Sequence, residues 1–282
     1  MRKLIVVALT LLASVSAQAQ LTAARNSEIA YGHHHINTTD VLAQQRFWVE
    51  GLGGRLSTFG SGNREVIVFP NVLVLFSERA PEGGSRGTAV NHVGFETTDI
   101  HSTVSRLREM GYEMISRQEL PSVYEVDAQG IASRPGGNTI AFVLGPDQTK
   151  VELIENTEIP QPIQLHHIHW SGMENEAMRD WYVDVFGALP GSRIGQPAAD
   201  LPGVNLTFAP TRDPVVPTRG HSLDHVGFEV RNLEQFCRQL EARGISLDRG
   251  YTEVASLGIA IAFLTDPWGT YIELTEGLVG VE

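Results

Sequence analysis

The 282-residue sequence holds a single cysteine, so no disulfide can form within the chain, even in an oxidising compartment. Cys237 lies in "LEQFCRQLEARG", where apolar residues recur at helical spacing, and it reads as a small buried hydrophobe rather than a nucleophile. Basic clusters are missing too: 21 lysines and arginines face 33 aspartates and glutamates, for a formal charge of −12. An acidic surface repels phosphate backbones, which argues against nucleic acid as a partner. The apolar run "LIVVALTLLASV" after the basic "MRK" is too short to span a membrane. With small residues at Ala17 and Ala19, it reads as a signal peptide over residues 1–19, cut after Ala19 to leave Gln20 first. No lipobox cysteine follows, so the expected location is the periplasm or the medium, with no membrane attachment after cleavage. Loss of Arg2 and Lys3 with the leader makes the mature chain more acidic still.

What the sequence does contain is repetition. "HVGFE" occurs twice, at His92 and at His225. Four segments share one plan, each opening on a short apolar strand led by a histidine: His33, His92, His167 and His225. Each then passes into a helical pattern ("VLAQQRFWVEGLGG", "IHSTVSRLREMGY", "NEAMRDWYVDVFGA", "LEQFCRQLEARGI") and on into short strands separated by turn residues. The odd segments share an aromatic pair, Phe47–Trp48 and Trp181–Tyr182. The even ones share a closing stretch, "GPDQTKVELIE" and "DPWGTYIELTE". The chain therefore reads A-B-A′-B′ with "NTEIPQPIQ" as linker, and two domains are expected, over residues 28–158 and 163–280. Periodicity by itself supports an α+β fold with repeated short strands. Side chains two apart on a strand share a face, so His33 points with His35, His167 with His169, and Glu229 with His225.

These openings and the "DPWGTYIEL" strand resemble the vicinal oxygen chelate superfamily, which includes glyoxalase I, extradiol dioxygenases, fosfomycin-resistance and bleomycin-resistance proteins and methylmalonyl-CoA epimerase. The resemblance runs from about Tyr31 to Leu278. It implies four βαβββ modules paired into two curved, eight-stranded open cups. It also implies that the histidine seven residues before each acidic or amide turn residue (Asp40, Asp99, Glu174, Asn232) is a metal ligand, with the closing-strand glutamate as the third. On this basis the first half offers His33, His92 and Glu152, and the second offers His167, His225 and Glu273. Two imidazoles and one carboxylate leave coordination positions open and suit a divalent ion: Fe2+, Mn2+, Zn2+ or Ni2+. The second half is the closer match, because Gly145 and Gln148 replace the aspartate and glycine of the closing turn in the first. An extra stretch around "VDAQGIASRPGG" reads as a loop.

Departures from the family narrow the chemistry. The fourth ligand of glyoxalase I falls on Leu73 and Asn205, neither of them a carboxylate. The tyrosine of extradiol dioxygenases falls on Phe263 and Phe142, and "VASLGIA" supplies no histidine. What remains first is a metal-dependent lyase or isomerase acting as a Lewis acid on a small oxygenated metabolite, with His169 or His35 as base, Tyr251 as a candidate acid and Glu229 as a further cup residue. The alternatives are a non-haem iron dioxygenase and a non-catalytic protein that sequesters a small molecule. A monomer or a homodimer fits the repeat.

Overall fold

The computed structural model describes residues 28–133, 137–279 and 281; the signal peptide and part of the "VDAQGIASRPGG" stretch lie outside them. The first module comprises β1 (Ile29–Thr38), helix α1 (Val41–Gln45, continuing through Arg46–Gly51 in a wider π winding), β2 (Arg55–Phe59), β3 (Arg64–Phe69) and β4 (Val72–Glu78). The second has β5 (Val90–Thr97), α2 (Ile100–Glu109), β6 (Glu113–Met114), α3 (Ser116–Glu119), β7 (Glu125–Val126), β8 (Ile131–Ser133), β9 (Ile140–Leu144) and β10 (Lys150–Glu155). The third has β11 (Ile163–Gly172), α4 (Asn175–Phe186), β12 (Leu189–Arg193), β13 (Gln196–Leu201) and β14 (Val204–Pro210). The fourth has β15 (Leu223–Val230), α5 (Leu233–Ala242), β16 (Arg249–Val254), β17 (Ile259–Thr265) and β18 (Tyr271–Glu276).

The helices form where the pattern places them. In α2, Ile100, Thr103, Val104 and Leu107 make one buried stripe, and the Asp99 carboxylate accepts from Ser102 N (2.9 Å) to close the first turn. At the far end of α4, Gly187 takes the left-handed conformation (φ 68°) that ends the helix. Cys237 is buried and unpaired, on the inner stripe of α5.

Two sheets result, and they mix the halves. One has the order β16-β17-β18-β15-β1-β4-β3-β2, joining the fourth module to the first. The other runs β12-β13-β14-β11-β5-β10-β9-β8-β7, joining the third to the second. The expected grouping of modules one with two and three with four is therefore corrected, and neither 28–158 nor 163–280 contains a whole sheet. Linker length supplies the reason. Residues 156–162 carry the chain only from β10 across β5 to β11, two strand spacings of about 4.8 Å each. Pro162 O accepts from Thr98 N (3.0 Å), holding the linker at the end of β5. The second sheet is extended by β6 and by the β7–β8 hairpin, so the extra stretch expected as a loop is partly paired.

The aromatic pairs of α1 and α4 lie between the sheets. Trp48 meets Phe69 of one sheet (6.1 Å between centroids) and Phe95 of the other (6.0 Å). Tyr182 lies 5.4 Å from Phe208, and Phe186 stacks at 4.7 Å on Phe228. These four helix and sheet contacts fill the core with large rings in offset and edge-on geometry. His34, on the opposite face from His33, points into this core, where its Nδ1 meets the Tyr31 hydroxyl (2.5 Å); burial lowers it to about 3.

Candidate metal centres

The adjoining strands β1 and β15 are antiparallel, and so are β11 and β5, with matching irregularities. Gly32 on β1 and His166 on β11 are bulged residues, each just before a candidate ligand. On the opposing strands Asp224 and Asn91 are the extra residues, each just before another. A bulge re-aims the side chains beside it. Here the second pair turns Asp224 and Asn91 toward the imidazoles that follow them. His225 Nδ1 donates to Asp224 Oδ2 (2.7 Å), and His92 Nδ1 to Asn91 Oδ1 (3.0 Å).

Across the first sheet one row holds Leu73, His33, Gly227, Glu273 and Phe263 side by side; the next holds Leu75, His35 and His225. Across the second the same rows read Asn205, His167, Gly94, Glu152, Phe142 and then Thr207, His169, His92. The glycine of "HVGFE" sits between a histidine and a glutamate. A Cβ on Gly227 would fall 2.0 Å from His33 Cε1, and one on Gly94 would fall 1.9 Å from His167 Cε1. The missing side chain is the space through which imidazole and carboxylate meet, which explains the repeated pentapeptide: a histidine ligand, a core valine, a seat for the facing ring, a core phenylalanine.

His33 Nε2 and His225 Nε2 each lie 2.9 Å from Glu273 Oε2. In the other cup His92 Nε2 lies 2.9 Å and His167 Nε2 3.1 Å from Glu152 Oε2. With His35 and His169 these make two groups of four, His33–His35–His225–Glu273 and His92–Glu152–His167–His169, whose ligand atoms all lie within 4.8 Å of one another. All six expected ligands are therefore in clusters, but the triads are exchanged: His167 is with His92 and Glu152, and His33 is with His225 and Glu273. His35 and His169, expected as bases beside the ligands, stand inside the clusters.

Burial would raise the Glu273 carboxyl, but the His225 and His33 contacts override it and hold it well below the carboxylate range; in the second cup Glu152 is likewise held well below it, with His167 foremost among the causes that oppose burial. Burial lowers His33, His35, His167 and His92, keeping those rings neutral; for His35 and His92 the charge of a neighbouring histidine adds to it. Only His225 is raised, against the cost of burial, because Asp224 and Glu273 flank it.

The donor set fits a cation on geometric grounds. Asn91 Oδ1 also accepts from Lys150 Nζ (2.8 Å), so it is the amide oxygen, and His92 Nδ1 must be the protonated nitrogen. Neutral His92 then aims the bare lone pair of Nε2 at a carboxylate oxygen 2.9 Å away. A positive centre between them removes that repulsion, and the Asn91 and Asp224 contacts are the outer hydrogen bonds that orient metal-binding imidazoles. Buried nitrogens without partners, Nδ1 of His33, His35 and His169, belong to the same clusters.

Two expected residues stand elsewhere. Tyr251 is at the sheet margin, packed on the helix side, with its hydroxyl 3.3 Å from Glu253. Glu229 shares the face of His225, as parity requires, but its carboxylate is taken by Thr275 Oγ1 (2.7 Å) and by the N–H groups of Gly277 (2.7 Å), Leu278 (3.0 Å) and Val279 (3.4 Å). It fastens the C-terminal turn and belongs to neither cluster. Conversely, Tyr271 went unnoticed although it stands two residues before Glu273 on the same face. It lines the first cup, its ring stacked on Phe263 (5.1 Å) and 5.5 Å from His225.

A curved sheet built of repeated βαβββ modules, with two imidazoles and a carboxylate converging in each cup, defines a vicinal oxygen chelate fold. Residues 164–274 match the family model of the Glyoxalase/Bleomycin resistance protein/Dioxygenase superfamily. The match takes in less than half of the chain, and over the remainder the likeness to that superfamily is one of fold. The matched segment covers the third and fourth modules, which are consecutive in the chain but sit in different sheets. Among solved structures the chain is similar to glyoxalase I from Zea mays (15% identity, TM-score 0.64, covering 88% of this chain and 92% of that one). It is also similar to a Bacillus subtilis protein provisionally assigned as a dioxygenase (12% identity, TM-score 0.58, 88% and 84%). At these identities the likeness is one of fold. No curated protein matches the sequence closely enough to count as a relative.

Proposed function

We propose that the chain is a divalent-metal-dependent enzyme of the lyase or isomerase kind, acting on a small oxygenated metabolite in the periplasm or outside the cell. The observation that carries this reading is the pair of exchanged triads, each with two imidazole nitrogens within 3.1 Å of one glutamate oxygen. Bound there, a divalent ion would supply Lewis-acid polarisation of a substrate oxygen. His33, His225 and Glu273 would hold it in the first cup, and His167, His92 and Glu152 in the second. His35 is suited to moving a proton: with Nε2 donating to Ser77 Oγ (2.9 Å), Nδ1 keeps a lone pair that no protein group occupies. Leu73, beside His33 in the row, leaves that flank of the first cup without a further ligand.

The test is metal content. Wild type is expected to take up two equivalents, and Glu273→Ala and Glu152→Ala one each; a wild type that binds none overturns the reading. An iron-dependent dioxygenase is the second reading, and Tyr271 supports it by bringing a phenol to the cup beside Phe263, where the expected hydroxyl is lacking. Oxygen uptake by the Fe2+-loaded protein with catechols would favour it; the first reading expects none.

A further inference from the structure

The two cups share their donors but differ in surroundings. The cavity above His33, His225 and Glu273 measures about 450 Å³, and four arginines line it: Arg64 and Arg79 from the first module, Arg219 and Arg249 from the fourth. Among the described residues none of these four has a carboxylate oxygen within 4.0 Å, whereas other arginines of the chain, such as Arg238 and Arg243, pair with Glu234 and Asp184. The carboxylates lining the cavity, Asp224 and Glu273, are both engaged by histidines. Arg219 lies over the Tyr271 ring (4.5 Å to the centroid), and Arg64 donates to Phe76 O (3.2 Å). In the second cup the cations are answered: Lys150 Nζ is 2.6 Å from Glu119, and Arg193 is 4.0 Å from Glu152. Arg249 Nε donates to Thr252 Oγ1 (3.3 Å). A concentration of guanidinium groups without carboxylate partners on a chain of net charge −12 is a local field that attracts an anion, and the planar fork of arginine matches a carboxylate. Below them the wall is apolar, with Phe59, Leu75, Leu257 and Phe263.

Building on the reading of this cup as a metal site, we propose that its substrate is a small organic carboxylate. The acid group is held by the arginines at the mouth, and the apolar body lies against the phenylalanines and leucines with its oxygens toward His33, His225 and Glu273.

The experiment compares 3,4-dihydroxybenzoate with its neutral amide, matched in shape, by calorimetric titration of both metal-loaded and chelator-treated protein. The acid is expected to bind about tenfold more tightly than the amide, the scale of one hydrogen bond to a charged group, in both forms. The ratio should fall to near one in the double variant Arg79→Gln/Arg249→Gln, whose positions are exposed, one on each module. It should persist in Arg108→Gln, which removes an equal charge from α2. Equal binding of acid and amide by wild type, a ratio that survives in the double variant, or failure of both probes to bind overturns the proposal. Because the chelator-treated arm reads the arginines alone, a protein that takes up no metal refutes the metal reading without disturbing this result.

Discussion

Gly227 and Gly94 occupy the one place in each cup where a facing imidazole crosses a strand to reach a carboxylate. Substituting Gly227 by alanine sets a methyl group 2.0 Å from His33 Cε1, and the ring must swing away from Glu273. The expected outcome is a metal affinity in that cup lower by about 10–100-fold, the cost typical of disturbing what positions a ligand, with the Glu152 cup unchanged. Metal titration monitored alongside circular dichroism measures it; full affinity at both sites would refute the role given to the glycine. At this scale the sequence was informative about donors and silent about their support. The histidines and glutamates could be found because their spacing repeats along the strands. Asp224 and Asn91 could not, since each turns toward its neighbour only through a bulge, and a bulge depends on the opposing strand rather than on local spacing. The letters were nonetheless present: both "HVGFE" copies are preceded by a residue able to accept from Nδ1.

Strand parity correctly placed Glu229 on the face of His225, yet the chain end folds back over it, and what parity offered as a cup residue is a clasp for the last turn. Its buried carboxylate holds the turn after β18, which brings Leu278 to the wall of the first cup. Glu229→Ala leaves those N–H groups and the Thr275 hydroxyl without an acceptor and should destabilise the protein by about 1–3 kcal/mol. Glu229→Gln, which keeps one acceptor oxygen, should lose less. A lowered Tm with two metal equivalents retained is the expected pair of readings; loss of metal with an unchanged Tm would return Glu229 to the site. The same element logic separates the closing turns. Asp266 accepts from Trp268 N (2.9 Å) and Thr270 N (2.7 Å), and Gly269 takes φ 93°. In the first half Gly145 offers no such acceptor, and Asp147 and Gln148 take positive φ. The weaker sequence match there marks a differently built turn, and Glu152 still reaches its two histidines. Side-chain chemistry at the turn and ligand placement on the strand are separable, because the strand is positioned by pairing along its whole length with β5 and β9.

For the whole molecule the consequential fact is that each sheet takes one module from either side of the linker. The repeat A-B-A′-B′ was legible; the partnership was not, because consecutive and exchanged pairing produce the same hydrophobic pattern and the same ligand spacing. Only the reach of the linker and the strand registers decide between them. A monomeric half has all the letters of one triad but the wrong geometry, since His33 needs β15 and β18, while His92 and Glu152 need β11. Residues 20–160 and 161–282, produced separately, should therefore bind no metal as monomers. Mixed, they should recover both sites with a single assembled mass of one copy of each. A half that binds metal alone can do so only by pairing its modules with those of a second copy, which sedimentation would show as a dimer. Should either half hold one equivalent of metal as a monomer, the sites would be complete within 28–158 or 163–280, and the sheet order that unites His33 with Glu273 would be wrong.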